Sequence, residues 1–163
     1  MAWLSLERAT VLSHEGLDLY RKLGERAGML QPLFNLGLAA VLGERHDEAL
    51  ALLRQRLQIA QQLGYTEALI YFLEESAAAL GAIGETERAT TLLGASEVAA
   101  EATGVRLEPF ERELHGRTLE LLRTTLDEEA FAAAWATGRQ LTPDEATGLA
   151  LADVQVSPRV SGA

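Results

Sequence analysis

The chain of 163 residues contains no cysteine. That removes disulfides, thiolate nucleophiles and cysteine-based metal sites from consideration. Basic residues are scarce: 14 Lys and Arg stand against 24 Asp and Glu, for a formal net charge of −10. A surface of that sign repels phosphate backbones, and there is no basic run to hold an anionic bilayer, so neither nucleic acid nor membrane is an expected partner. Val, Ile and Tyr are few, so strand formers are thin on the ground. No apolar run approaches the length of a membrane span. No charged, apolar, small-residue signal pattern opens the chain, and the cytoplasm is the expected compartment. Thirteen of the 14 basic residues are Arg, which hints at a GC-rich bacterial genome.

What is present is apolar and helix-forming. Apolar residues make up 48% of the sequence, and Leu and Ala, both strong helix formers, lead it. The length suits one domain or a stretch of a repeat array.

The sequence repeats itself. Leu6–Gly24, Asp47–Gly64 and Glu87–Gly104 align with Ala9, Ala49 and Ala89 in register, and with Leu12, Leu52 and Leu92 in register. Their final glycines, Gly24, Gly64 and Gly104, also fall 40 residues apart. Each segment has apolar residues at i, i+3, i+4 and i+7 and ends in a glycine suited to a left-handed helix cap. Two further helical segments lie between them, Gly28–Glu44 and Thr66–Glu85. These match at the same offset, Leu33 with Leu73 and Gly37 with Ala77, and each closes on Gly-Glu. Small residues at Gly37, Ala49, Ala77 and Ala89 let neighbouring helices approach. Pro32 falls near the first turn of its helix, where a missing amide costs little.

The spacing resembles the tetratricopeptide repeat, whose pattern runs W-x2-L-G-x2-Y…A-x3-F. Leu33, Leu36-Gly37, Ala40, Ala49 and Leu53 stand at those positions, followed by Leu73, Ser76-Ala77, Leu80, Ala89 and Leu93. The Trp, Tyr, Phe and proline of the consensus are replaced or missing, and the period exceeds the usual one of about 34 residues. Arg88–Val105 and Leu126–Leu151, above all "EEAFAAAWATGR", resemble the end of the repeat domain in large bacterial signal-transduction ATPases. Many of those end in a LuxR-type helix-turn-helix, as the maltose-activator-like regulators do. Neither a phosphate-binding G-x-x-x-x-G-K-S/T nor a basic helix-turn-helix occurs in this chain. The resemblance therefore implies the sensor and interaction segment of such a regulator, beside an ATPase or output module.

The C-terminal third has its own local signals. Asp127 or Thr125 can cap a helix that sets Phe131 and Trp135 at i and i+4 on one face. Thr142-Pro143-Asp144-Glu145 reads as a capping box opening a short last helix. The two rings are expected to dock on the preceding helix, about Pro109–Thr125, and so to cap the array. A ligand-stacking aromatic pair is the alternative.

Catalytic constellations are missing. His14, His46 and His115 are scattered, without H-E-x-x-H, and read as exposed. Ser13-His14-Glu15 are sequence neighbours, which does not make a triad. Glu74-Glu75 are adjacent on a helix, point in different directions and read, like Glu111, Glu113 and Glu128-Glu129, as solvated. No enzyme activity, cofactor or metal is expected.

The expectation is therefore all-α: a right-handed helical-hairpin array over residues 1–108, capping helices over 109–152 and a flexible tail over 153–163. The resemblance implies a concave groove for a protein or peptide partner, lined by Gln31, Phe34, Leu38, Val41, Tyr71, Glu74 and Ala78. Core packing of some of these is the competing reading, and a small-molecule effector is the alternative occupant. At the N-terminus, Trp3, Leu4, Leu6 and Leu12 would lack a covering helix, so self-association through that end is expected.

Overall fold

The computed structural model describes residues 2–152, with side chains from residue 7 onward. Trp3, Leu4 and Leu6 as side chains, and the tail from Asp153, lie outside the described residues. Within them the chain is helical and has no strand. The helices are α1 (Ala2–Leu23), α2 (Leu30–Leu42), α3 (His46–Gln62), α4 (Ala68–Ala82), α5 (Thr86–Thr103), α6 (Pro109–Thr125), α7 (Glu128–Gly138) and α8 (Pro143–Leu151). A 3-10 turn, Ala27–Met29, precedes α2.

The punctuation read from the sequence is physical. Gly24, Gly64 and Gly104 have φ of 70°, 79° and 71°, the left-handed region that a Cβ disfavours. At Gly43-Glu44 the roles differ: Gly43 has φ −89° and Glu44 itself takes φ 57°. Thr142 and Glu145 form the full capping box of α8. Of the two candidate caps for α7 it is Asp127 that serves, its side chain accepting from the Ala130 amide at 2.8 Å.

Successive helices from α1 to α5 pack on one another, α1 on α2 through to α4 on α5. The main core joins α3, α4 and α5 with Leu122, Phe131, Ala146 and Ala150 of the last three helices. A smaller cluster of Leu17, Met29, Leu33, Leu36 and Ile59 ties α1 and α2 to α3.

Helix α4 is the axle of the molecule. Every residue from Phe72 to Gly81 is buried, against α3, α5, α6 and α8. A helix covered on all sides is expected to be apolar on all sides, and Glu74 and Glu75 break that rule.

The C-terminal helices do not stack as expected. Helix α7 docks mainly on α5 and touches α6 only briefly. The reason is steric: Gly94 on α5 faces the Trp135 backbone, and Gly138 on α7 faces the Thr91 carbonyl. Two absent side chains let these helices approach backbone to backbone. Phe131 is buried in the core, stacked on Trp135 at 5.6 Å, with the Arg123 guanidinium of α6 over its ring, 4.4 Å from the centroid. Trp135 Nε1 donates to Glu97 at 2.9 Å. These rings serve packing, worth about 1.5–3 kcal/mol for full burial of Phe131.

Candidate functional site

The site grows out of the two misfit carboxylates on α4. Glu74 and Glu75 are 3% and 4% exposed, which corrects their reading as solvated. A buried charge is costly unless paired and hydrogen-bonded. Glu74 meets that demand: its Oε1 accepts from Ser96 Oγ on α5 at 2.6 Å, and its Oε2 accepts from His115 Nδ1 on α6 at 2.8 Å. His115 is thus a half-buried tether between α6 and α4 rather than an exposed residue. The hydrogen bond it donates to Glu74 holds its imidazole above the ordinary histidine value, against the opposing pull of burial. Serine, glutamate and histidine are joined here in that order. The hydroxyl and the imidazole bind different oxygens of Glu74, so these three residues do not have the geometry of a nucleophile and its base.

Glu75 meets the demand only by half. Its Oε1 accepts from Arg56 of α3 at 2.6 Å, while Oε2 is buried with no hydrogen-bond partner. Burial, partly offset by Arg56, pushes its carboxyl up to about 7. The Arg56 guanidinium lies 4.9 Å from the Phe34 ring and 6.0 Å from the Tyr71 ring, so two aromatic faces and one carboxylate hold it.

Two cavities flank Glu75. One, of about 190 Å³, lies between α3 and α4 and is lined by Leu53, Leu57, Ala68, Tyr71 and Phe72 with Arg56 and Glu75. The other is a cleft of about 10 Å³ among Phe34, Leu38, Val41, Ala78 and Leu114.

Of the residues expected to line a groove, Phe34, Leu38, Val41 and Ala78 share one cleft and Phe34 and Tyr71 share Arg56, and most are already in use. Helix α6 lies across it. Phe110 meets Phe34 edge-on at 5.5 Å, Leu114 closes the cleft over Leu38 and Ala78, and His115 takes Glu74. Glu74 and Ala78 are fully buried, so neither offers a surface to a partner. Phe34, Leu38, Val41 and Tyr71 are half-buried and Gln31 is exposed, its Nε2 donating to Asn35 at 3.1 Å. Arg56, Glu75 and His115 were not singled out as site residues. The available signal was composition: a charged pair inside "ALIYFLEESAAALGA" has no polar face to sit on.

Elsewhere, Leu12, Leu19 and Leu23 leave an apolar strip on α1, each more than half exposed, while Val11, also exposed, lines a cavity against α2. Among the described residues no group of three or more His, Asp or Glu is arranged to hold a metal ion, and no helix is long and apolar enough to cross a membrane. Compared with known proteins, the chain matches no family model, no curated protein and no solved structure.

Proposed function

We propose that the chain is a non-catalytic interaction and sensor module of a bacterial signalling or transcriptional regulator. Its helices form a right-handed array of tetratricopeptide-like pairs closed by α6 to α8, and it works in the cytoplasm beside an ATPase or output module whose state it biases. The observation that carries this reading is the α2/α4 face. There the chain lays its own amphipathic helix, through Phe110, Leu114 and His115, onto Phe34, Leu38 and Glu74. A face that accepts a helix in cis has the shape for helix-in-groove recognition. Beyond Phe110 the Tyr71 end is left partly open. The partner is a protein segment with apolar and basic residues, because Glu67, Glu108 and Glu111 all press on the Tyr71 phenol electrostatically.

Peptide-display selection against the whole chain tests this. Enriched sequences should carry apolar and basic residues, and Tyr71→Ala should weaken them at least about tenfold, the cost of losing one aromatic anchor. Selected peptides indifferent to Tyr71→Ala would refute the reading.

The apolar strip of α1 supports self-association as a second contact. Light scattering at micromolar concentrations should show mass rising with concentration, and Leu12→Glu with Leu19→Glu should abolish the rise. A monomer at all concentrations would remove this contact from the account. A second reading, binding of a small effector molecule, is favoured by the partly open cavity lined by Tyr71.

A further inference from the structure

The cavity lined by Tyr71 holds a charge imbalance that its own residues leave open. Its walls are mostly hydrocarbon, from Leu53, Leu57, Ala60, Ala68 and Phe72. Among the residues that line it, two carboxylates, Glu67 and Glu75, face one cation, Arg56. Oε1 of Glu75 is satisfied by Arg56, but Oε2 is buried without a partner in a side chain only 4% exposed. On α6, Oε2 of Glu111 is a second buried oxygen with no hydrogen-bond partner, and its charge adds to the pressures that raise the Glu75 carboxyl and the Tyr71 phenol. Native proteins rarely leave buried acceptors unpaired, and such atoms commonly mark a missing ligand.

We propose that this cavity binds a small organic cation, a primary ammonium on a compact apolar body, whose N–H donates to Glu75 and whose hydrocarbon packs against Leu57, Ala68 and Phe72. This deepens the effector reading given above and rests on it. Size fits: a cavity of about 150 Å³ accommodates benzene, so 190 Å³ takes one ring with a short arm. Charge fits, since Glu67 and Glu75 on the wall, with Glu108 and Glu111 near the phenol, disfavour an anion. The hydrocarbon walls fit an organic cation rather than a metal ion, which would need oxygen and nitrogen ligands on several sides. Tyr71, which also lines the cavity, provides an aromatic ring for the same charge.

The test is titration of the whole chain at pH 8 with three ring compounds of one size: 2-phenylethylamine, 2-phenylethanol and 3-phenylpropanoate. Binding is read by calorimetry and by backbone amide shifts. The amine should bind saturably, moving the amides of Leu57, Tyr71, Phe72 and Glu75, with the alcohol and the acid at least about tenfold weaker. Its affinity should fall between pH 8 and pH 5.5, as the Glu75 carboxyl takes up a proton and stops attracting the ammonium. Glu75→Gln should weaken the amine at least about tenfold and leave the alcohol unchanged. Ala68→Leu, which fills the cavity, should remove binding of all three. If Glu75→Gln does not fold, the amine-to-alcohol ratio and the pH dependence of the wild-type chain decide. Equal binding of amine and alcohol at these residues would overturn the cation assignment and leave the effector reading standing. No saturable binding by any of the three would overturn both.

Discussion

Gly138 of α7 sits against the Thr91 carbonyl of α5 so closely that a Cβ there would collide with it, and Gly94 of α5 stands in the same relation to the Trp135 backbone. The obstacle at both points is main chain, which cannot swing away as a side-chain tip can. Gly138→Ala and Gly94→Ala should each destabilise the chain by about 2–4 kcal/mol, as overpacking against backbone does. Gly116→Ala on α6 is the control, because a Cβ there meets nothing, and it should stabilise by about 0.5–1 kcal/mol. Urea denaturation of the three variants measures both signs.

Stability should fall as pH rises through the neutral range. Glu75 binds its proton more tightly in the fold, with its carboxyl at about 7 against an ordinary 4.5. The folded chain therefore carries the extra proton between those values, and stability is lost as pH climbs through them. His115, raised above 6.5 chiefly by the hydrogen bond it donates to Glu74, works in the same direction. Its contribution is fully present below 6.5 and disappears as pH passes its folded value. For Glu75 alone the change is on the order of 3 kcal/mol. Thermal unfolding should thus give a higher Tm at pH 5 than at pH 8. Glu75→Gln should flatten the part between pH 4.5 and 7, leaving the step due to His115.

The helix stops differ in how well their residues suit them. Gly24 and Glu44 both occupy the left-handed region, φ 70° and 57°. Gly24→Ala should cost about 1 kcal/mol, whereas Glu44→Gly should gain a comparable amount. A substitution that stabilises by deleting a side chain is a stringent check on the backbone at that turn.

Arg88 secures the last helix. It is largely buried and donates through Nε to the Leu149 carbonyl at 2.7 Å, and through Nη2 to the carbonyls of Ala150 and Ala152. These are carbonyls at a helix end that have no intrahelical donor. Arg88→Met should cost about 2 kcal/mol and should speed proteolytic cutting after α8 loosens, with α1 to α5 remaining protected. Uniform cutting along the chain would mean that α8 does not open separately.

The helices were legible in the sequence because their signals are local. Periodic leucines and alanines, the glycines at 24, 64 and 104, and the Thr142–Glu145 box each act within one turn of the backbone. The C-terminal arrangement was not legible. That α7 seats on α5 depends on Gly94 and Gly138 meeting across 44 positions of sequence, and each alone reads as an ordinary small residue. Of the residues expected on one face of α2 and α4, Phe34 and Leu38 share a cleft, and Phe34 and Tyr71 share Arg56. The covering of that face by α6, and the burial of Glu74 with His115, depend on tertiary contacts that pattern reading does not contain. Glu75 and Arg56, on different helices, were missed because a charged side chain on a helix is most often solvated.

The account turns on recognition being concentrated where α2, α3 and α4 meet, at Phe34, Arg56 and Tyr71. Amide hydrogen exchange of the chain with and without a selected peptide measures that directly. The account predicts new protection over residues 31–41 and 67–75, and little change over 128–151. Protection confined to α7 and α8, or none at a saturating concentration of a peptide that binds, would contradict it.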